Sequence, residues 1–310
     1  MKRFTALILI AAICVGSMAH AGFRVYGAKG AFVLNGGSAL GKALSVRVGF
    51  DGFWDWADTG EADYEPGETG DWTWAFGLKS GFRSVESNLV FAPGDFRIWE
   101  TDLDAHAVNG RWAVSLSVPY QDWEGYGVFG ELGGKSLGLQ VAPQYFFMKQ
   151  DSEAVDLSVF AVAGYKRLAF DGDPVNGKGG NLDDASYVTW GFGALIGKSF
   201  SLGDLSLGYV YQPWINIDGD AELDGSSTLD YHSATLTYAF GLGGGLYGSL
   251  AATWNYTEDL PDQFDSDEYL GRAMLGYRTE CWGIEAGYGR TILSDDFDEW
   301  DADLAVSFKW

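Results

Sequence analysis

The chain has 310 residues, 47% of them apolar and 16% aromatic, and its 43 acidic against 20 basic side chains leave a formal net charge of -23. So acidic a chain excludes nucleic acid as a partner, because that contact needs a basic surface. Beyond residue 21 no apolar run reaches the roughly 18 residues of a spanning helix, and 44 glycines scattered among short aromatic-rich stretches point to an all-β protein.

Lys2 and Arg3 precede an apolar run from Ala6 to Val15, and Ala19, His20 and Ala21 form a small-x-small cleavage site, so residues 1–21 are predicted to be a secretory signal peptide. Cys14 lies inside that run after Ile13, where a lipid-anchoring signal would carry a small residue. Removal of the signal leaves Cys281 alone, so no intramolecular disulfide is expected. Residues 22–40 fit a periplasmic leader, a short plug or an extra strand, and 41–310 read as one unbroken domain.

Strands of alternating character follow at 45–57, 71–82, 87–92, 95–107, 111–122, 136–148, 155–168, 186–199, 205–217, 229–240, 246–256, 268–279, 281–291 and 299–310. That makes about fourteen; without the short strand at 87–92 and one partner the count is twelve. Val108 to Gly110, Lys149 to Ala154 and Gly241 to Gly245 are tight connections, whereas 58–70, 123–135, 169–185, 218–228 and 258–267 are long. Of the thirteen tryptophans, Trp54, Trp56, Trp72, Trp74, Trp99, Trp123, Trp190, Trp214, Trp254 and Trp300 fall near the strand ends on the long-loop side, and Trp112, Trp282 and Trp310 near the other ends.

The alternation is clearest at the end. Trp300, Ala302, Leu304, Val306, Phe308 and Trp310 share one face of a strand, and Asp301, Asp303, Ala305, Ser307 and Lys309 the other. In the strand before it, Trp282, Ile284, Ala286 and Tyr288 oppose Glu285, Gly287 and Gly289. A signal peptide, two-faced strands throughout and a strand that stops on an aromatic resemble the Gram-negative outer-membrane β-barrels of the porin and transporter kind. The resemblance implies a transmembrane antiparallel up-and-down barrel with short periplasmic turns and longer acidic extracellular loops, in contact with the lipid bilayer, lipopolysaccharide and the outer-membrane assembly machinery. It also implies that Phe308 and Trp310 form an assembly signal. The remaining all-β alternative is a secreted soluble sandwich, whose core tryptophans would have no reason to sort to strand ends.

Alternation also selects a candidate channel lining: Arg47, Asp51, Lys79, Arg111, Arg272, Glu285, Asp301 and Asp303, with Arg278. Arg97 has the opposite parity to Glu100, Asp102, Asp104 and His106, so that strand cannot turn all five inward without a bulge. If the first strand at 45–57 closes against the last, Arg47 and Asp51 neighbour Asp301 and Asp303. A lining of mixed sign suits a wet channel for a small-molecule solute, or a salt-bridged network that fills a closed barrel.

Five outer connections, at 58–70, 169–185, 218–228, 258–267 and 294–299, carry 22 of the 43 carboxylates and one base, Lys178. These acids either simply keep the loops solvated or gather cations. Asp220, Glu222 and Asp224 before Gly225 have the alternate spacing of a calcium loop, but Tyr231 stands where its closing glutamate belongs. No cofactor is expected beyond Ca2+ or Mg2+ at such loops. Catalysis finds little support. Membrane hydrolases of this shape use a histidine and serine on neighbouring lipid-facing positions, whereas Ser233 directly follows His232 and must face the other way. An autotransporter translocator fits in outline, but the residues ahead of the first strand are too few to encode a passenger. The functions left open are a channel, a structural or adhesive surface barrel and a membrane enzyme.

Deleting Phe308 to Trp310 is expected to reduce the heat-modifiable folded form on gels and leave chain in the periplasm. Normal assembly of the truncated protein would reject the assembly signal.

Overall fold

The computed structural model describes residues 23–26, 31–34, 48–51 and 72–309, except 88–93, 110, 128–129, 149–154, 172–184, 201, 219–227, 258–266, 280–281 and 294–296. Three short strands, β1 (Phe23–Tyr26), β2 (Ala31–Leu34) and β3 (Val48–Asp51), pair antiparallel in a sheet of their own. All later strands belong to a second, larger sheet. It runs through β4 (Thr73–Ser87), β5 (Gly94–Asn109), β6 (Trp112–Gly127), β7 (Gly130–Met148), β8 (Asp156–Asp171) and β9 (Ala185–Phe200). It continues through β10 (Gly203–Tyr211), β11 (Trp214–Asp218), β12 (Thr228–Leu229), β13 (Tyr231–Gly243), β14 (Leu246–Thr257), β15 (Asp267–Arg278), β16 (Trp282–Leu293) and β17 (Phe297–Lys309).

β10 and β11 both pair with β9 and form one crossing interrupted at Gln212 and Pro213. β12 and β13 likewise form one crossing, broken at Asp230. β17 pairs with β4 along its length, from Phe297 opposite Ser87 to Lys309 opposite Ala75, and closes the ring. The barrel therefore has twelve crossings, the lower of the two counts. Of the segments expected at 87–92 and 45–57, only Ser87, the last residue of β4, and β3, in the small sheet, are described, and the rest lies outside the described residues. The closing partner of the last strand is β4, so Lys79 and Arg83 neighbour Asp301 and Asp303 at the seam where Asp51 was expected; Arg47 lies outside the described residues.

Losing the strand at 87–92 reverses the direction of the one before it. Thr73 lies opposite Val108 at the short-turn end, so Trp72 and Trp74 belong to the periplasmic girdle beside Trp112 and not to the outer one. The long connection at 123–135 is also largely strand. β6 and β7 continue pairing up to Gly127 opposite Gly130 and make a tall outer hairpin. On the other side, the turn between β13 and β14 uses Gly243, Gly244 and Gly245 at φ 87, 64 and 86, a succession of left-handed residues that only glycine accepts without strain.

Strands of 12 to 19 residues exceed what a tilted bilayer crossing requires. Their outward faces carry a belt of exposed aliphatic side chains: Leu78, Leu103, Leu116, Leu139, Ile196, Leu207, Leu236, Leu250, Leu275 and Leu304. Aromatic rings flank the belt, with Phe82, Trp99 and Trp300 in contact towards the outer end and Trp112 against Tyr145 at the inner end. Such rings favour the membrane boundary, where one end is apolar and the other wet. Trp123 departs from the expected belt: it faces inward and is 2% exposed.

Inward rings lie flat over glycines of the next strand. A Cβ on Gly125 would stand 2.5 Å from Phe96, one on Gly134 2.6 Å from Trp123, and Gly276 and Gly193 leave room in the same way for Tyr247 and Phe160. Replacing Leu250 with arginine is expected to destabilise the barrel by about 2–4 kcal/mol if the residue sits near the midplane. Unfolding by urea from lipid vesicles measures it, and an unchanged midpoint would remove Leu250 from the bilayer.

Candidate functional site

Period-two alternation sends the polar half of every crossing into the lumen. The charged groups gather where β15 to β17 meet β4 to β6. Arg83, 0% exposed, donates to Glu100 on β5 and lies 3.5 Å from Glu299 on β17. Gln121 on β6 donates to the same Glu100 at 3.1 Å and accepts from Ser136 at 3.0 Å and from the Lys166 ammonium at 2.9 Å. One connected chain of hydrogen bonds and ion pairs thus runs from β17 across β4, β5, β6 and β7 to β8. Beside it, Arg272 on β15 reaches over β16 to Asp301 and Asp303, and Lys79 lies 3.3 Å from Asp303. Arg272 can lie there because Gly287 and Gly289 stand beneath this ion-pair cluster: a Cβ on Gly287 would collide with the guanidinium, and one on Gly289 with Asp301.

Further round the ring Tyr231 donates to Asn255, and Asn255 donates to Glu268 at 3.1 Å. Tyr247 donates to Glu285, with the Arg278 guanidinium 5.3 Å from the centre of its ring. The wall from β7 to β13 is different. It carries mainly carboxamides, hydroxyls and glycines, with an apolar cluster that includes Phe160, Val162, Leu195 and Val210, and its buried charges are Asp156 and Lys166 of β8. Among the buried inward side chains acids outnumber bases: Glu100, Asp104, Asp156, Glu268, Glu285, Glu299 and Asp301 against Lys79, Arg83 and Lys166. The low-dielectric surroundings strengthen each of these interactions and make an uncompensated charge costly.

Of the lining predicted from sequence, Lys79, Arg272, Glu285, Asp301 and Asp303 lie on inward positions, and Arg278 at the inner end of β15. Arg111 is exposed in the turn before β6, where its guanidinium approaches the Phe147 carbonyl at 3.5 Å. Arg47 lies outside the described residues, and Asp51 ends β3, away from the seam it was expected to line. Asp220, Glu222, Asp224 and Trp310 are outside the described residues, while Phe308 is on the outward face of β17. No cluster of three metal-binding side chains occurs among the described residues.

The parity conflict in β5 resolves without a bulge. Glu100, Asp104 and His106 are buried, whereas Arg97 faces outward beside Glu124 at 3.9 Å. His106 Nδ1 is 3.0 Å from Ser115 Oγ inside the lumen. His232 faces outward, hydrogen-bonded to Tyr209 at 2.7 Å, with Ser233 buried on the opposite face. Sequence reasoning missed Arg83, Glu299 and Lys166 as lining. The signal for Arg83 was its shared parity with Lys79, but the predicted strand stopped at residue 82.

An antiparallel barrel with no free edge, an aliphatic outer belt and a polar inner wall is the architecture of bacterial outer-membrane β-barrel proteins. No family model matches the chain, and no curated protein matches it in sequence. Among solved structures it is similar to the translocator domain of the autotransporter NalP from Neisseria meningitidis, at 14% identity and TM-score 0.55, covering 77% of this chain and 88% of that one. The transport unit of the autotransporter AIDA-I from Escherichia coli is similar at 8% identity and TM-score 0.53, covering 80% and 93%. The NanC porin is similar at 13% identity and TM-score 0.50, covering 76% and 100%. At these identities the likeness is one of fold.

Replacing Arg83 with alanine leaves Glu100 and Glu299 facing each other without their shared cation. The loss is expected to cost about 3–5 kcal/mol, the range for breaking a buried ion pair. Adding Glu100→Gln should recover part of it. Denaturant unfolding of the single and double variants checks this, and a cost below about 1 kcal/mol would make the pair a solvated one.

Proposed function

We propose that the barrel is a channel for small polar solutes across the outer membrane, with a mouth that favours cations. The observation that carries this reading is the contrast between the two faces of the wall: aliphatic outside, and inside a hydrophilic surface with hydrogen-bonding groups along the crossings. The excess of inward carboxylates over bases and the acidic connections at 169–185, 218–228, 258–267 and 294–299 give the same sign of field from rim to lumen, which concentrates cations; 58–70, which precedes the inner end of β4, does not count towards this mouth. Mg2+ or Ca2+ held between those loops and lipopolysaccharide phosphates belongs to the same reading. It assigns no covalent chemistry to His106 or His232.

The test is the reversal potential of the refolded protein in planar bilayers under a salt gradient. Neutralising Asp262, Asp265 and Asp267 should reduce cation preference at low salt and change little at high salt, because the screening length is about 10 Å at 0.1 M and shorter above it. Anion preference at low salt would reject the acidic mouth. Absence of conductance would reject the channel.

A further inference from the structure

We infer that the small sheet of β1, β2 and β3 is a plug: it crosses the lumen from wall to wall, narrows the passage, and is held there by positive charge set against an acidic barrel. This deepens the channel reading and rests on it. The first observation is where the sheet meets the ring. β1 lies against β6 and β7, whereas β3 lies against β13, β14 and β15. β2 pairs with both and stands between them. One way round the ring, β8, β9, the β10–β11 crossing and the β12–β13 crossing separate β7 from β14; the other way, β5, β4, β17 and β16 separate β6 from β15. These are opposite walls. A sheet on the outer surface could not reach both, because the barrel itself would stand between them.

The dimensions agree with this placement. A ring of twelve strands spaced ~4.8 Å apart and tilted about 40° is roughly 24 Å across, and three strands side by side span about 10 Å, which leaves a gap of about 7 Å at each wall for side chains to fill. The inward surface beside the sheet is covered accordingly. Ser117 of β6 is 4% exposed, Thr235 of β13 2%, and Ser249 and Thr253 of β14 3% each. Hydroxyl side chains this short would face water on an empty bore of that width. What remains of the lumen lies on the two flanks of the sheet, one towards the ion pairs of β17 and β4, the other towards β8 and β9.

Charge supplies an independent argument. From Phe23 to Asp51 the sequence has four bases, Arg24, Lys29, Lys42 and Arg47, and one acid, Asp51, a net of +3. From residue 52 onwards it has the other 42 of the 43 acids and 14 of the 20 bases, a net of -28. The buried inward side chains share that acidic excess. A cationic segment is attracted into such a lumen, and the low dielectric between the walls makes the attraction stronger than it would be at the surface. The acids that draw mobile cations therefore also hold this segment, and its own charge offsets part of their field.

The experiment compares the refolded full-length mature protein in planar bilayers with two variants: one lacking residues 23–51, and a full-length one combining Arg24→Glu, Lys29→Glu, Lys42→Glu and Arg47→Glu. The ring closes between β4 and β17 without the deleted strands, and heat-modifiability checks that it has done so. Both variants should conduct roughly twofold more than the parent, because a sheet about 10 Å thick takes up about half the cross-section of such a bore. The deletion should also shift the reversal potential further towards cations at low salt. Equal conductance in all folded forms would overturn the plug, and if the deletion does not fold the charge variant decides. A second measurement needs no current. Ser117→Cys and Ser249→Cys, each in a Cys281→Ser background, should react with a water-soluble maleimide on the order of tenfold faster in the variants than in the parent, as a covered thiol becomes accessible. Unchanged rates on both walls would overturn the plug. If no form carries current, the channel reading fails and the labelling alone decides where the sheet lies.

Discussion

A sheet in hydrocarbon can have no edge, because an unpaired backbone N–H or C=O has no water to turn to. Everything else in this barrel depends on that requirement. It dictates that β17 must find β4 and that the pairing be continuous from Phe297 to Lys309. It also explains where the breaks fall. Gln212 and Pro213 interrupt one crossing, yet β11 still pairs with β9, and the Gln212 N–H is taken by the Tyr231 carbonyl at 2.8 Å. The missing proline donor is thus accommodated without opening the wall.

With the backbone satisfied, the side chains are free to divide the lumen by chemistry. The seam side holds most of the ions, drawn to opposite charges or amides one or two strands away. The opposite side holds mainly amides, hydroxyls and apolar groups, with Lys166 and Asp156 of β8 among them. Glycine makes both arrangements possible in different ways: under Arg272 it admits a guanidinium that reaches across a whole strand, and under Phe160 or Tyr247 it lets a ring lie along the wall instead of across the lumen.

The alternation in residues 281–310 makes the last two crossings legible directly from sequence, down to the inward Glu285, Asp301 and Asp303 and the outward Trp282, Tyr288 and Leu304. Strand number was harder, because alternation reports that a segment is two-faced without reporting which sheet it joins. Residues 48–51 alternate as the wall does, yet β3 pairs with β2. The segment at 87–92 has six residues, too short for a crossing that needs about nine to eleven. Including it inverted β4 and moved Trp72 and Trp74 to the wrong girdle.

The closing seam also has a consequence for how the barrel forms. Every other pairing in the wall joins crossings that follow one another in the chain, so each hairpin can zip from its own turn at little cost in loop closure. The β4–β17 junction alone unites the first crossing with the last, and it must wait for all the others. Until it forms, the nascent sheet exposes two edges at once, each able to pair with another chain. The finished wall therefore needs one long-range pairing beyond its local hairpins, the kind of contact that topology makes slow, and shielding both edges until it forms keeps the sheet from pairing with other chains.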